Sequence, residues 1–117
     1  MPIQVKRVSD PAEPEDGFRL LTMRRWPRGV AKGKISGWDK RLAPSTELLA
    51  DVRTRVISWQ EYVNRYRWER VNRPDPLKGV ANLRRQVNIE TVTVMCGCKD
   101  QAHCHRTLLK ELIEAQP

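Results

Sequence analysis

What this chain of 117 residues lacks narrows its identity before anything it contains. No stretch approaches the roughly 20 consecutive apolar residues of a membrane-spanning helix, so no membrane partner is expected. The opening Met1-Pro-Ile-Gln-Val-Lys-Arg has no apolar core of a secretory signal. Cysteine is limited to Cys96, Cys98 and Cys104, and an odd, clustered set is not a secreted disulfide framework. Together these absences lead to the expectation of a cytoplasmic protein. There is no internal repeat and no low-complexity tract. With 39% hydrophobic and 31% charged residues, residues 1–117 should form a single globular domain whose core needs no staples.

Acid is missing where base is concentrated. The formal charge is +8, yet residues 91–117 are balanced, with Lys99, Arg106 and Lys110 against Asp100, Glu111 and Glu114. The surplus is densest from Arg24 to Lys34, where Arg24, Arg25, Arg28, Lys32 and Lys34 occur without a carboxylate. Such a stretch suits nucleic acid, a nucleotide or another polyanion; the plainer alternative is a solvated basic face.

Hydrophobic periodicity supplies the elements. Ile3 to Val8, Phe18 to Met23 and Thr91 to Met95 read as strands. Pro27, Gly29, Gly33 and Gly37 make the segment up to Trp38 a long loop. A first helix follows Ala43-Pro-Ser-Thr-Glu, with Leu48, Leu49, Val52 and Val56 on one side. Ser58 and Glu61 have the spacing of a capping box. The helix they open carries Trp59, Tyr62, Val63 and Tyr66 as a core stripe, and Trp68, roughly opposite, is expected to pack under another element. Asp75 and Pro76 should start a third helix, with Leu77, Val80, Ala81 and Val87 apolar. Leu108, Leu109, Leu112 and Ile113 place a last helix over Arg106 to Ala115. The expected fold is therefore α/β: a small sheet with helices packed on it, its strand order open.

All three cysteines and both histidines, His103 and His105, fall between the last strand and the last helix. In open α/β sheets this is where sites form, beyond the carboxyl ends of strands. Several fragments also carry a resemblance. Phe18-Arg-Leu-Leu, Arg24-Arg-Trp-Pro-Arg-Gly-Val, Leu42-Ala-Pro-Ser-Thr-Glu-Leu, and Lys99-Asp100 with His103 and His105 resemble the YeaO-like family of uncharacterised proteins. Cys104-His105-Arg106 is similar to the broader domain-of-unknown-function 488 group, whose members often pair an upstream cysteine with such a triplet. The resemblance spans nearly the whole chain and implies a compact cytoplasmic α/β domain without an assigned activity. It departs at Met23, where relatives tend to carry Asp.

Three chemistries suit the cluster. Cys104, near a helix start, or Cys96, at a strand end, could serve as a thiolate, with His105 as base or orienter. Arg106, Arg24 and Arg28 could clamp an anionic group. The Cys-X5-Arg loop of cysteine phosphatases is absent, since Asp100 stands six residues before Arg106. Zinc is the second: Cys96, Cys98, Cys104 and one histidine are acceptable ligands, but the spacing is crowded and neither metal nor cofactor is expected. Nucleic acid is the third, with Trp26 among the cations of the loop as a stacking platform or else a core anchor. The reading that joins them is a Cys/His/Arg crevice for an anionic ligand, a thiol-dependent enzyme acting on a nucleotide or nucleic acid. The alternative is a non-catalytic nucleic-acid-binding or regulatory protein using the Arg24–Lys34 loop. If the strands preceding the loop and the cluster run parallel, both should border one pocket.

Overall fold

The computed structural model describes residues 3–97 and 104–115. They form a four-stranded sheet in the order β1-β4-β2-β3, parallel throughout, made of β1 (Ile3–Arg7), β2 (Phe18–Leu21), β3 (Gly37–Trp38) and β4 (Val92–Cys96). The helices are α1 (Thr46–Arg53), α2 (Trp59–Asn72), α3 (Pro74–Val87) and α4 (His105–Glu114). The last strand in sequence is thus inserted between the first two. Its five residues are all buried, which matches a strand with neighbours on both edges and layers on both faces.

Alternation along the strands sends two cores to opposite faces. Ile3, Leu20, Val92 and Val94 meet Val80, Leu83 and Val87 of α3 and Leu109 and Ile113 of α4. On the other face, Leu21 and Met95 are covered by Met23, Trp26, Val30 and Ile35, from the segment after β2. The basic loop is therefore also a structural layer. Trp26 is a core anchor: its ring meets Trp38 edge-on at 5.5 Å and its Nε1 donates to the Val30 carbonyl at 2.9 Å.

Several sequence expectations need correction. The long loop ends in β3, a two-residue edge strand paired with Leu20 and Leu21. It fits because Gly37 offers no side chain where the Phe18 ring lies; a Cβ there would come within 2.7 Å of it. Helix α1 stops at Arg53, so Val56 lies outside it and is exposed. Trp68 is 56% exposed rather than packed. Helix α3 begins at Pro74 after Arg73, not with Asp75 as cap, and buries Leu83 while Leu77 is exposed. Gly79 explains that rotation. It lets α3 approach the turn at Lys40–Leu42, where an added Cβ would stand 3.0 Å from Arg41 Cβ and 3.3 Å from Leu42.

Among the described residues, no helix is long and apolar enough to cross a membrane.

Candidate functional site

The carboxyl ends of β2 and β4 open on the same side because the strands are parallel neighbours. Beyond β2, Thr22 extends the ladder by one rung: its amide donates to the Met95 carbonyl at 3.0 Å, and its hydroxyl donates to the same oxygen at 2.9 Å. The Thr22 carbonyl is then met by His105 Nε2 at 2.8 Å. A carbonyl oxygen only accepts, so Nε2 carries the proton and Nδ1 is the basic nitrogen. Nδ1 lies 3.9 Å from Cys104 Sγ. Cys104 is the N-cap residue of α4, so its sulfur also sits at the positive end of that helix.

Cys96 Sγ is 2.7 Å from Cys104 Sγ, and both thiols are buried. Arg106, buried beneath them, places Nη1 3.5 Å from Cys96 Sγ and 3.4 Å from the carbonyls of Lys6 and Cys96. The sulfurs of Cys96 and Cys104 and a ring nitrogen of His105 all lie within 4.8 Å of one another, so these three could also serve as metal ligands. Cys98 and His103, the other ligand candidates, and Lys99 and Asp100 of the family-like pattern fall outside the described residues.

A cleft of about 750 Å³ opens over this cluster, bordered by Cys96, Cys104, His105, Arg24, Arg25 and Trp59 among others. It thus brings Arg24 to the same cavity as Cys96, Cys104 and His105. Arg28 is exposed and does not line it, Trp26 is packed on the far face of the sheet, and Arg106 acts from below rather than from the wall. Met23 also lines the cleft and contributes a thioether to its wall.

The remaining walls rest on residues that the sequence marks as a helical core stripe, Trp59, Tyr62 and Tyr66, and on others that it does not single out for the site. Trp59 stacks on Tyr62 at 4.9 Å, Tyr62 on Tyr66 at 6.2 Å, and the Tyr66 ring tilts against His105 at 5.9 Å. Burial pushes the Tyr66 phenol pKa upward, so it stays a donor, and it donates to the Leu42 carbonyl at 2.7 Å. Arg70, fully buried, donates to the Ala43 carbonyl at 2.6 Å and to Glu69 at 3.0 Å. Glu69 in turn accepts from the amide and hydroxyl of Ser45, whose oxygen caps α1 at Leu48. The Ala-Pro-Ser-Thr run is thereby pinned from inside, and Arg24 Nε donates to its Pro44 carbonyl at 2.9 Å. The signal for Thr22 was absent from local sequence, because its partner lies 83 residues away.

Fold and geometry define a small parallel α/β protein with a thiol–imidazole pair at the carboxyl edge of its central strand. The sequence profile of the DUF488-N3a family, described as the active DUF488-N3 subclade, matches residues 3–117, and the chain belongs to that family. It is 32% identical to the uncharacterized protein YeaO of Escherichia coli, over 98% of this chain and 99% of the relative. It is 28% identical to the uncharacterized protein Rv3073c of Mycobacterium tuberculosis, over 97% and 95% of the two chains. No solved structure matches the chain at a significant level.

Proposed function

We propose that this protein is a thiol-dependent enzyme acting on an anionic substrate of nucleotide or nucleic-acid type. The observation that carries the reading is the orientation of His105. With Nε2 held by the Thr22 carbonyl, Nδ1 stands 3.9 Å from Cys104 Sγ, the arrangement of nucleophile, base and orienting group. Cys104 attacks an electrophilic centre of the bound substrate while His105 Nδ1 takes the thiol proton; the bond from that centre to the leaving group breaks, and the leaving group departs with the proton that His105 held. Cys96 is the second thiol, with Arg106 Nη1 3.5 Å from its sulfur.

The cleft supports the substrate class. Its volume lies within the range of small-molecule sites. Arg24, Arg25 and Arg53 supply cations for phosphate, replacing Arg28 in the clamp. Trp59, at the rim of the aromatic stack, replaces Trp26 as the face on which a base can stack. The word "active" in the family's description accords with a catalytic role.

The test is alkylation by iodoacetamide near pH 7, followed on the tryptic peptide Asp100–Arg106, in which Cys104 is the sole cysteine. Cys104 should react faster in the native protein than in the unfolded chain, a mononucleotide should slow it, and His105→Gln should abolish the acceleration. Slow native modification without protection would remove the enzyme reading. If salt-sensitive polynucleotide binding also survived Cys104→Ala, the protein would instead be a non-catalytic binder using the exposed Arg28, Lys32 and Lys34.

A further inference from the structure

The spacing of the two sulfurs decides between two chemistries. Two thiolates on one tetrahedral zinc, with bonds of about 2.3 Å, stand roughly 3.8 Å apart. A disulfide holds its sulfurs about 2.05 Å apart. At 2.7 Å, Cys96 and Cys104 are nearer the second arrangement. The Arg106 guanidinium, with Nη1 3.5 Å from Cys96 Sγ, also opposes a dication there. Both cysteines border the cleft, which admits a small oxidant although neither residue is more than 2% exposed.

We propose that Cys96 and Cys104 form a reversible oxidation site, in which a hydroperoxide oxidises Cys104 and Cys96 closes a disulfide. In the first step His105 takes the Cys104 proton, and the sulfur attacks one peroxide oxygen. The O–O bond breaks, and the other oxygen leaves as alcohol or water with the proton that His105 held. Cys104 is now a sulfenic acid, oxidised by two electrons while the peroxide is reduced by two. In the second step the Cys96 sulfur attacks Cys104 Sγ, the S–S bond forms, and the hydroxyl leaves as water with the Cys96 proton. An external dithiol reverses the bond by two exchanges and is itself oxidised. The closed form removes the Cys104 nucleophile from the cleft. That consequence for activity rests on the enzyme reading above, whereas the bond itself does not.

The experiment treats the full-length Cys98→Ser protein with hydrogen peroxide and maps tryptic peptides. In this background a bond between Cys96 and Cys104 joins Gln86–Lys99 to Asp100–Arg106. The joined species should appear in peroxide, vanish in dithiothreitol, and form at least about tenfold faster in native protein than in urea, because the fold holds the thiols together. Cys96→Ser should leave a sulfenic acid on Cys104 that dimedone traps. Overoxidation of Cys104 without linkage, equal rates in native and unfolded chains, or stoichiometric metal shielding both thiols would each overturn the proposal. Absent linkage with fast, nucleotide-protected alkylation would remove the oxidation site and leave the enzyme. Efficient linkage with slow, unprotected alkylation would do the reverse.

Discussion

His105 Nε2 lies 2.8 Å from the Thr22 carbonyl oxygen and 3.2 Å from the Thr22 hydroxyl, so one residue at the end of β2 orients the imidazole at the start of α4. The carbonyl contact belongs to the backbone and survives substitution; the hydroxyl contact does not. Thr22→Val should therefore cost about 1 kcal/mol of stability, through loss of the hydroxyl bond to Met95. It should slow Cys104 alkylation only a few-fold, whereas His105→Gln abolishes the acceleration. Urea unfolding and the iodoacetamide rate check both parts.

Breaking the buried Glu69–Arg70 pair should be costly. Removing one partner leaves an uncompensated charge, which costs about 3–5 kcal/mol in such settings. Arg70→Met should fall in that range by denaturant unfolding, and Glu69→Gln combined with Arg70→Met should lose less than the sum of the single losses. Simple additivity would mean that the two side chains act independently.

Glycine substitutions should separate conformation from contact. Gly17 has φ +63°, and a Cβ there would stand 2.3 Å from the Thr91 carbonyl oxygen, so Gly17→Ala should destabilise by at least about 2 kcal/mol. Gly29 has φ +76° but nothing within 4 Å of an added Cβ, so Gly29→Ala should cost only about 1 kcal/mol. Thermal midpoints of the two variants give the comparison.

An acid limb of stability should trace to Asp16. Burial acts to raise its pKa, but hydrogen bonds from Lys6, the Glu13 backbone and Arg19 outweigh that and hold it below the ordinary carboxylate value. The folded pKa is thus depressed. Its stabilisation is fully present above the unfolded value of about 3.9 and is lost as pH falls through the lower folded value. Asp16→Asn should be less stable than the parent at neutral pH, and the gap should narrow below about pH 4. A gap that stayed constant down to acid unfolding would assign the effect to packing instead.

Much of the site's address was legible because it depends on local pattern. A β-branched run from Thr91 to Met95 and an apolar stripe from Leu108 to Ile113 identify a strand and a helix, and between them Cys96, Cys104 and His105 have nowhere to be but the strand's carboxyl end. Ser58 as a helix cap was legible for the same reason, since its partner Glu61 is three residues away. Leu77 and Trp68 misled, because helical spacing shows which residues share a face but not whether a neighbour covers it. Gly79 decided that for α3 by admitting the Lys40–Leu42 turn.

The sequence by itself determined the alternation of strands and helices, the carboxyl-edge position of Cys96 and Cys104 and the basic character of the segment after β2. Those properties follow from spacing along the chain and from side-chain chemistry. Tertiary structure alone decided that β4 enters between β1 and β2, which brings Arg24 to the thiols and sets Thr22 against His105. It also decided that Trp26 is core while Trp59 borders the cleft, and that Glu69 and Arg70 are interior rather than solvated. Pairings across 83 or 27 residues depend on chain topology and on which faces are covered, and no local period of the sequence encodes either.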